Sequence, residues 1–448
     1  MKPVTFSNIL AASGGTYFGD DALLRQSATD VVIDSRRATP GALYVPIVGE
    51  RLDGHAFIED ARKNGASLVL SAHPLEHEPY ILVGDTLRAL QAIASWYRDQ
   101  FTIPVVGLTG SVGKTSTKEM IASVLSSRYR VLKTLENNNS QTGVPQMLFM
   151  LDDTHEAAVL EMGMNHFGEM GRLAAMIKPD VCLFTNIGVA HIENFGSREN
   201  ILKSKTEMLS HMKKGGKVIA NGDDDMLATI PGAFRFGFGE SCDLVARDAV
   251  DEGLSGVSFT ACYQGECLRV HVPAPGMHSV SNALAAMSVG LTLGMQLSEL
   301  AEGIAAISAL PGRMQIVKTK RFTILDDTYN ANTVSMMAAV DVLEKEKTRR
   351  VCILGDMLEL GRESSEHHEV LGMYAAIHGI DLIICVGPES EDMFLGAIDV
   401  APRRARYFET QKNMLALLPG LLRDGDTILV KASRGMHLEK TVEFLKGL

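Results

Sequence analysis

The sequence predicts an α/β protein of three domains, in which a central parallel-sheet domain is flanked by a small N-terminal α/β domain and a C-terminal Rossmann-like domain. Three observations predict it. The chain has 448 residues, beyond the ~250 to 300 at which one hydrophobic core stops growing. Short apolar runs alternate with helix-like runs over most of its length, as in a parallel sheet covered by helices on both faces. The alternation breaks at the turn Pro311-Gly312 and then restarts.

In chain order, Val31 to Leu70 carries the β-rich runs VVID and ALYVPIV and one helical stretch, FIEDARKNGA, which read as a small α/β domain. From Leu87 to Asp99, apolar Leu90, Ile93, Ala94 and Tyr97 recur at helical spacing and lead into a strand over Ile103 to Leu108. The first domain is therefore placed at 1–84. IPVVGL, EAAVLEM, VCLFTNI and KVIANG supply the central strands, giving a domain over 85–311. RFTILDD, RRVCILGD, DLIICVG and DTILVKA, each followed by a plausible helix, make the last domain 312–448.

Composition narrows the function. A hydrophobic share of 46% with 22% charged residues is that of a folded globular chain. The net charge of −11 argues against a nucleic-acid partner, because phosphate backbones are bound by clustered Lys and Arg. No apolar run approaches the ~20 residues that cross a bilayer, so no membrane insertion is expected. The chain opens without a basic-then-apolar leader, and its six cysteines form no CxxC pair. Reduced thiols in a cytoplasmic protein, a monomer, are the expectation. Cys262 and Cys267 stand five apart, but no second Cys/His pair completes a zinc site.

The strand IPVVGL runs into Thr109, Gly110, Ser111, Val112, Gly113, Lys114 and Thr115, then into the helix-like TKEMIASVL. This strand, glycine loop and helix form a variant P-loop. Glycines let backbone N–H groups converge on an anion, Lys114 supplies charge to the β/γ-phosphates, and the Thr115 hydroxyl suits Mg²⁺. The general pattern wants glycine where Leu108 stands. ATP is the expected nucleotide.

Glu161 ends the apolar run EAAVLE, at the carboxyl edge of an open parallel sheet where ligands bind. It is a candidate Mg²⁺ ligand. VCLFTNIGVAHIENFG delivers Asn186 and then His191, whose neutral imidazole could coordinate a divalent ion. Lys205 follows in ILKSKTEML. A bare ammonium beside Mg²⁺ would be repelled by roughly 8 kcal/mol at ~4 Å, so Lys205 is either an exposed helix lysine or a carbamate formed with CO₂.

With these residues assembled, the chain resembles the muramyl ligase family along almost its whole length. The marks include DSR (Asp34 to Arg36), GERLDGHAFI, TGSVGKTSTKEM, NNNSQTGVP, EMGMNHFGEM and TNIGVAHIENFGS. They continue in order with NGDDD, PGMHSVSNALAA, LPGRMQ, DDTYNAN and LGDMLELG. The resemblance implies a UDP-sugar domain, an ATP domain and a last domain that completes the site. Its substrates would be a UDP-N-acetylmuramoyl-tripeptide and D-alanyl-D-alanine, joined through an acyl phosphate.

Residue by residue, the resemblance puts Ser35, Arg36, Asp53, Gly54 and His55 near the uridine diphosphate, although DG is also a strong turn signal. It assigns Lys114 and Thr115 to ATP and its metal, Glu161 to a first Mg²⁺ and His191 to a second. Lys205 matches the carbamylated lysine of sister ligases. Asn282 and Arg313 match positions contacting ATP, Asn282 being a possible helix cap as well. Asp327 joins the ATP set, and Tyr329 and Asn330 the substrate set. Thr333 stands where the family usually has proline, an exchange tolerated at a helix start.

Two relatives and one different class compete with this reading. Sister ligases that add diaminopimelate carry a DNPR motif absent from this sequence. Folylpolyglutamate synthase shares the loop and fold but lacks the uridine-type first domain. A nucleotide-dependent switch would bind ATP and a partner without forming bonds.

Overall fold

The computed structural model describes residues 1–49, 51–189, 192–308 and 310–448. The chain forms two compact units. One holds Met1–Gly110, Leu125–Phe184 and Leu202–Ile219; the other holds Ser111–Val124, Thr185–Ile201 and Ala220–Leu448. The chain thus passes from the first unit to the second inside the glycine loop.

The start of the first unit is a five-stranded sheet in the order Thr16–Phe18, Tyr80–Leu82, Leu68–Ser71, Leu43–Tyr44, Val31–Val32. The first pair is antiparallel and the others parallel. Ile58 and Ala61, from the stretch read as a helix, pack with Tyr44, Val69 and Tyr80 in one buried cluster. Asp85 caps the following helix, Thr86–Arg98, by accepting from Arg88 N. Leu90, Ile93, Ala94 and Tyr97 are buried on it, as the apolar stripe requires.

The same unit contains a parallel set in the order Val131–Lys133, Ala157–Glu161, Val105–Thr109, Val181–Phe184. The last three strands are buried at every position, so they read as unbroken apolar runs rather than alternating ones. Register places Glu161 opposite Leu108 and Phe184 opposite Thr109. Three carboxyl ends therefore meet at one edge, where the glycine loop begins.

The second unit contains antiparallel strands that the parallel reading of residues 85–311 omits. Leu244–Asp251, Val257–Tyr263 and Glu266–Val272 pair antiparallel in sequence order. Gln264 and Gly265 both have positive φ, 49° and 87°, the backbone of a two-residue hairpin turn. Cys262 then lies directly opposite Cys267, with Cα atoms 4.2 Å apart, and the two form a disulfide. This corrects the expectation of six reduced thiols. Five-residue spacing, weighed in the sequence only as a zinc half-site, becomes a cross-strand pair once the turn is formed; the other four cysteines are free and buried.

The last sheet has the order Gln315–Lys318, Thr323–Asp326, Thr427–Lys431, Arg350–Gly355, Leu382–Val386, Ala405–Phe408. Its first pair is antiparallel and the rest parallel. Side chains alternate between two cores: Leu325, Cys352, Leu354 and Ile383 join the helix residues Met336, Leu371 and Met393. Ile324, Val351, Ile353 and Ile384 join Met414, Leu418 and Val442. Helices on both faces make this the doubly wound arrangement expected. Asn332 caps the helix Thr333–Glu344 by accepting from Ser335 N, so Thr333 occupies the first helical position, where proline and threonine are both accommodated.

Candidate functional site

In the second unit the glycine loop is held from beneath by the segment after strand Val181–Phe184. Asn186 clamps Val112 on both sides: its Oδ1 accepts from Val112 N at 2.9 Å and its Nδ2 donates to Val112 O at 2.9 Å. The Thr185 hydroxyl also donates to Val112 O, at 2.8 Å, and Ser111 N donates to Asn186 O. A loop pinned in this way keeps its shape and needs little reorganisation on binding. Asn186 was recognised in its strand but its clamping role was not, because the partner is 74 residues away.

Gly113 has φ +80°, and a Cβ there would sit 2.9 Å from Asn282 Oδ1. Both facts demand glycine. The helix Lys114–Leu125 begins immediately after it, so its N-terminal amides face the loop. Asn282 is buried inside the helix His278–Thr292 and accepts from the Thr117 hydroxyl at 3.1 Å. It is not a helix cap: it braces the glycine loop and the helix that follows.

Lys114 Nζ donates to Ser111 O at 3.3 Å, and Arg313 Nη2 donates to Thr115 Oγ1 at 2.8 Å. Arg313 also lies 3.9 Å from the Tyr329 ring centroid, and Arg434 lies 5.4 Å from it. Asp327 accepts from Met314 N at 3.0 Å and pairs with Lys431 Nζ at 2.6 Å. Lys431 is buried, and it also donates to Asn330 O at 2.9 Å. Thus Arg313, Asp327, Tyr329 and Asn330 do assemble, together with Lys431 and Arg434, which sequence reading passed over. Their signal was position: both follow or end the run DTILVKA at a sheet's carboxyl edge.

The first unit supplies a second group. Glu161 is buried; its N–H donates to the Thr134 hydroxyl at 2.9 Å and its Oε1 accepts from Asn139 Nδ2 at 2.8 Å. Asn139 belongs to the NNNSQTGVP run, which marked the family without naming this contact. Lys205 is buried as well and donates to Gly110 O at 3.1 Å, which removes the exposed-lysine alternative. Thr109 Oγ1 is buried with no hydrogen-bond partner among the described residues. A glycine loop that opens a helix has the backbone chemistry to fit a nucleoside triphosphate. The Glu161 carboxylate is a hard oxygen donor of the kind Mg²⁺ takes; in the second unit the Thr115 hydroxyl is another, and it accepts from Arg313. His191 lies outside the described residues.

The N-terminal candidates occupy two similar turns. Asp34 caps the turn Ser35–Arg37 and accepts from Arg36 Nε and Nη2 at 2.9 and 2.7 Å. That side-chain hydrogen bond, first, holds the Asp34 carboxyl at about 2. Asp53 caps Gly54–Phe57 and bonds His55 Nδ1 at 2.6 Å, while His55 Nε2 accepts from Ala72 N at 3.0 Å. The ring is thereby fixed as the Nδ1–H tautomer. Tyr44 donates to Gly54 O, and burial, with the charges of Asp34 and Asp53, pushes its phenol up to about 12. Ser35 is buried and Arg36 exposed, so Arg36 presents a cation at the surface of this domain.

Three stretches of the chain match known family models. Residues 28–98 match the Mur ligase family catalytic domain, 108–290 the Mur ligase middle domain, and 312–434 the Mur ligase glutamate ligase domain. The UDP-N-acetylmuramoyl-tripeptide--D-alanyl-D-alanine ligase of Escherichia coli K12 is 36% identical over 456 aligned positions, covering 100% of this chain and 99% of that protein. The Bacillus subtilis protein of the same name is 35% identical over 93% of this chain and 92% of its own length. Among solved structures, MurF from Acinetobacter baumannii superposes with a TM-score of 0.94 at 32% identity, covering all of both chains. MurF from Thermotoga maritima in complex with ADP superposes with a TM-score of 0.84 at 28% identity, over 93% of this chain and 97% of that one.

Proposed function

Since the chain belongs to the Mur ligase family, we propose that it joins D-alanyl-D-alanine to a UDP-N-acetylmuramoyl-tripeptide, with ATP converted to ADP and phosphate, in peptidoglycan precursor synthesis. The observation that carries this reading is the glycine loop, braced by Asn186 and Asn282, in a chain that aligns end to end with ligases of that name. No helix among the described residues is long and apolar enough to cross a membrane. A cytoplasmic monomer acting on soluble substrates is part of the proposal.

The reaction has two steps. An oxygen of the tripeptide's terminal carboxylate attacks the γ-phosphorus of ATP; the bond to the ADP oxygen breaks and an acyl phosphate forms. The uncharged amine of D-alanyl-D-alanine then attacks the acyl carbon, phosphate leaves with the electron pair, and the amine proton passes to solvent or a base.

In this reading residues 1–84 hold the UDP-sugar through Ser35, Arg36, Asp53, Gly54 and His55; 85–311 hold ATP; and 312–448 supply Arg313, Asp327, Tyr329 and Asn330. Thr109 to Thr115 cradle the phosphates, and Lys114 and Arg313 set positive charge against the oxygens on which negative charge gathers. Glu161, Thr115, His191 and a carbamylated Lys205 would hold Mg²⁺, which when bound neutralises phosphate charge. Asn139 orients Glu161 for that task.

The test is phosphate release from ATP by the purified protein. Release that requires both the UDP-tripeptide and D-alanyl-D-alanine, with the pentapeptide product seen by mass spectrometry, is expected. Release with neither substrate, or with none in any combination, would overturn the reading.

A further inference from the structure

The incoming dipeptide offers an enzyme few handles. Its amine must be uncharged to attack and is consumed, its methyl groups are small, and its one lasting charge is the terminal carboxylate. A carboxylate taken out of water needs a fixed cation, best a guanidinium that meets both oxygens.

Three cations surround the carboxyl ends of strands Thr323–Asp326 and Thr427–Lys431. Arg313 is committed to Thr115 and to one approach to the Tyr329 ring. Lys431 is buried and committed to Asp327 and Asn330. Arg434 is exposed, rests 5.4 Å from the Tyr329 ring centroid, and makes no ion pair among the described residues. Glu439, whose charge reaches it, is already bonded to His437 at 3.1 Å.

Its backbone is fixed. Ser433, the residue before it, donates its N–H to Asp356 O, and its hydroxyl accepts from Leu358 N at 2.9 Å. Asp356 in turn accepts from Ser390 N and Oγ at 2.8 and 2.6 Å, both partners being buried. The segment is therefore tied to the strand Arg350–Gly355 and to the helix Ser390–Val400, with a guanidinium that makes no ion pair among the described residues held over an aromatic ring. Preorganisation of this kind is what binding an anion requires.

Resting on the ligase reading above, we propose that Arg434, oriented by Tyr329, binds the terminal carboxylate of the incoming D,D-dipeptide and so selects a substrate with a free acid at that end. Residues Asp356, Leu358 and Ser433 act as positioning residues for it.

The test compares D-alanyl-D-alanine with D-alanyl-D-alaninamide in the wild type, Arg434→Ala and Arg434→Lys. A charge-assisted hydrogen bond of ordinary strength predicts a KM for the acid raised about 10- to 100-fold in Arg434→Ala. The KM values for ATP and the UDP-tripeptide should stay unchanged, and Arg434→Lys should fall between. The amide should be a poor substrate for the wild type and no worse for Arg434→Ala. An unchanged acid KM, or equal proportional losses with acid and amide, would overturn the assignment while leaving the ligase reading intact. Absence of turnover by the wild type with either dipeptide would instead remove the ligase reading, and this inference with it.

Discussion

Arg313 Nη2 donates to Thr115 Oγ1 at 2.8 Å, although 198 positions separate the two residues. The contact sets a permanent positive charge at the first turn of the helix that follows the glycine loop, and the Tyr329 ring fixes the plane of the guanidinium from 3.9 Å. Arg313→Ala is expected to lower kcat by about 10²-fold, the usual cost of losing one preorganised donor to a developing charge. Arg313→Lys should recover little, because lysine has neither the fork nor the stacking plane. A coupled ADP-release assay measures it, and wild-type kcat in Arg313→Ala would exclude the residue from phosphoryl transfer.

Lys205 presents a different problem, since its buried Nζ points at Gly110 O and an ammonium there adds positive charge where metal ligands are proposed. Addition of CO₂ inverts that charge and makes a ligand of it. Activity should therefore rise with bicarbonate in CO₂-depleted buffer, and Lys205→Ala should lose about 10- to 100-fold with no bicarbonate response. Carbamate mass on a Lys205 peptide from rapidly trapped protein is the direct reading. Full activity of Lys205→Ala, indifferent to bicarbonate, would leave the lysine a purely structural donor.

What could be read from the sequence was whatever is local. The runs around Val105, Leu160, Leu183, Ile353 and Ile384 are apolar because their strands are buried on both faces, so they announced themselves, and the glycine loop was visible because its residues are consecutive. The roles of Asn186, Asn139 and Lys431 are not legible for the opposite reason: each acts through a partner far along the chain, at Val112, Glu161 and Asp327. Amide side chains in particular carry no sequence signature of their own, since the same residue caps a helix at Asn332 and braces a loop at Asn282. The Cys262–Cys267 pairing needed the Gln264-Gly265 turn to be recognised first.

Gly54 shows how a turn signal and a packing demand coincide. A Cβ there would come within 2.6 Å of Ile47 N and 2.9 Å of Ile47 O, and both are backbone atoms that cannot step aside. Gly54→Ala should destabilise the N-terminal domain by about 1–3 kcal/mol, as overpacking does. It should also raise the KM for the UDP-tripeptide, because Asp53 and His55 flank the displaced segment. Urea unfolding followed by a probe in this domain gives the first number and steady-state kinetics the second; a wild-type midpoint would mean that the chain yields more easily than the distances allow.

The paired turn at Asp34 gives a pH dependence whose sign is fixed by the direction of its shift. Its folded carboxyl sits at about 2, chiefly because Arg36 donates to it, against an ordinary value near ~3.9 in an unfolded chain. A depressed carboxyl stabilises the fold above its unfolded value and loses that contribution as pH falls toward the folded one. In Arg36→Ala the carboxyl returns toward its ordinary range, so wild type should exceed the variant in urea midpoint at about pH 5, and the gap should shrink by about pH 3. Because the Arg36 side chain is 85% exposed, the gap will be small and will narrow further in high salt. A gap that widens as the pH falls would mean that Arg36 stabilises the turn through packing rather than through the charge of Asp34.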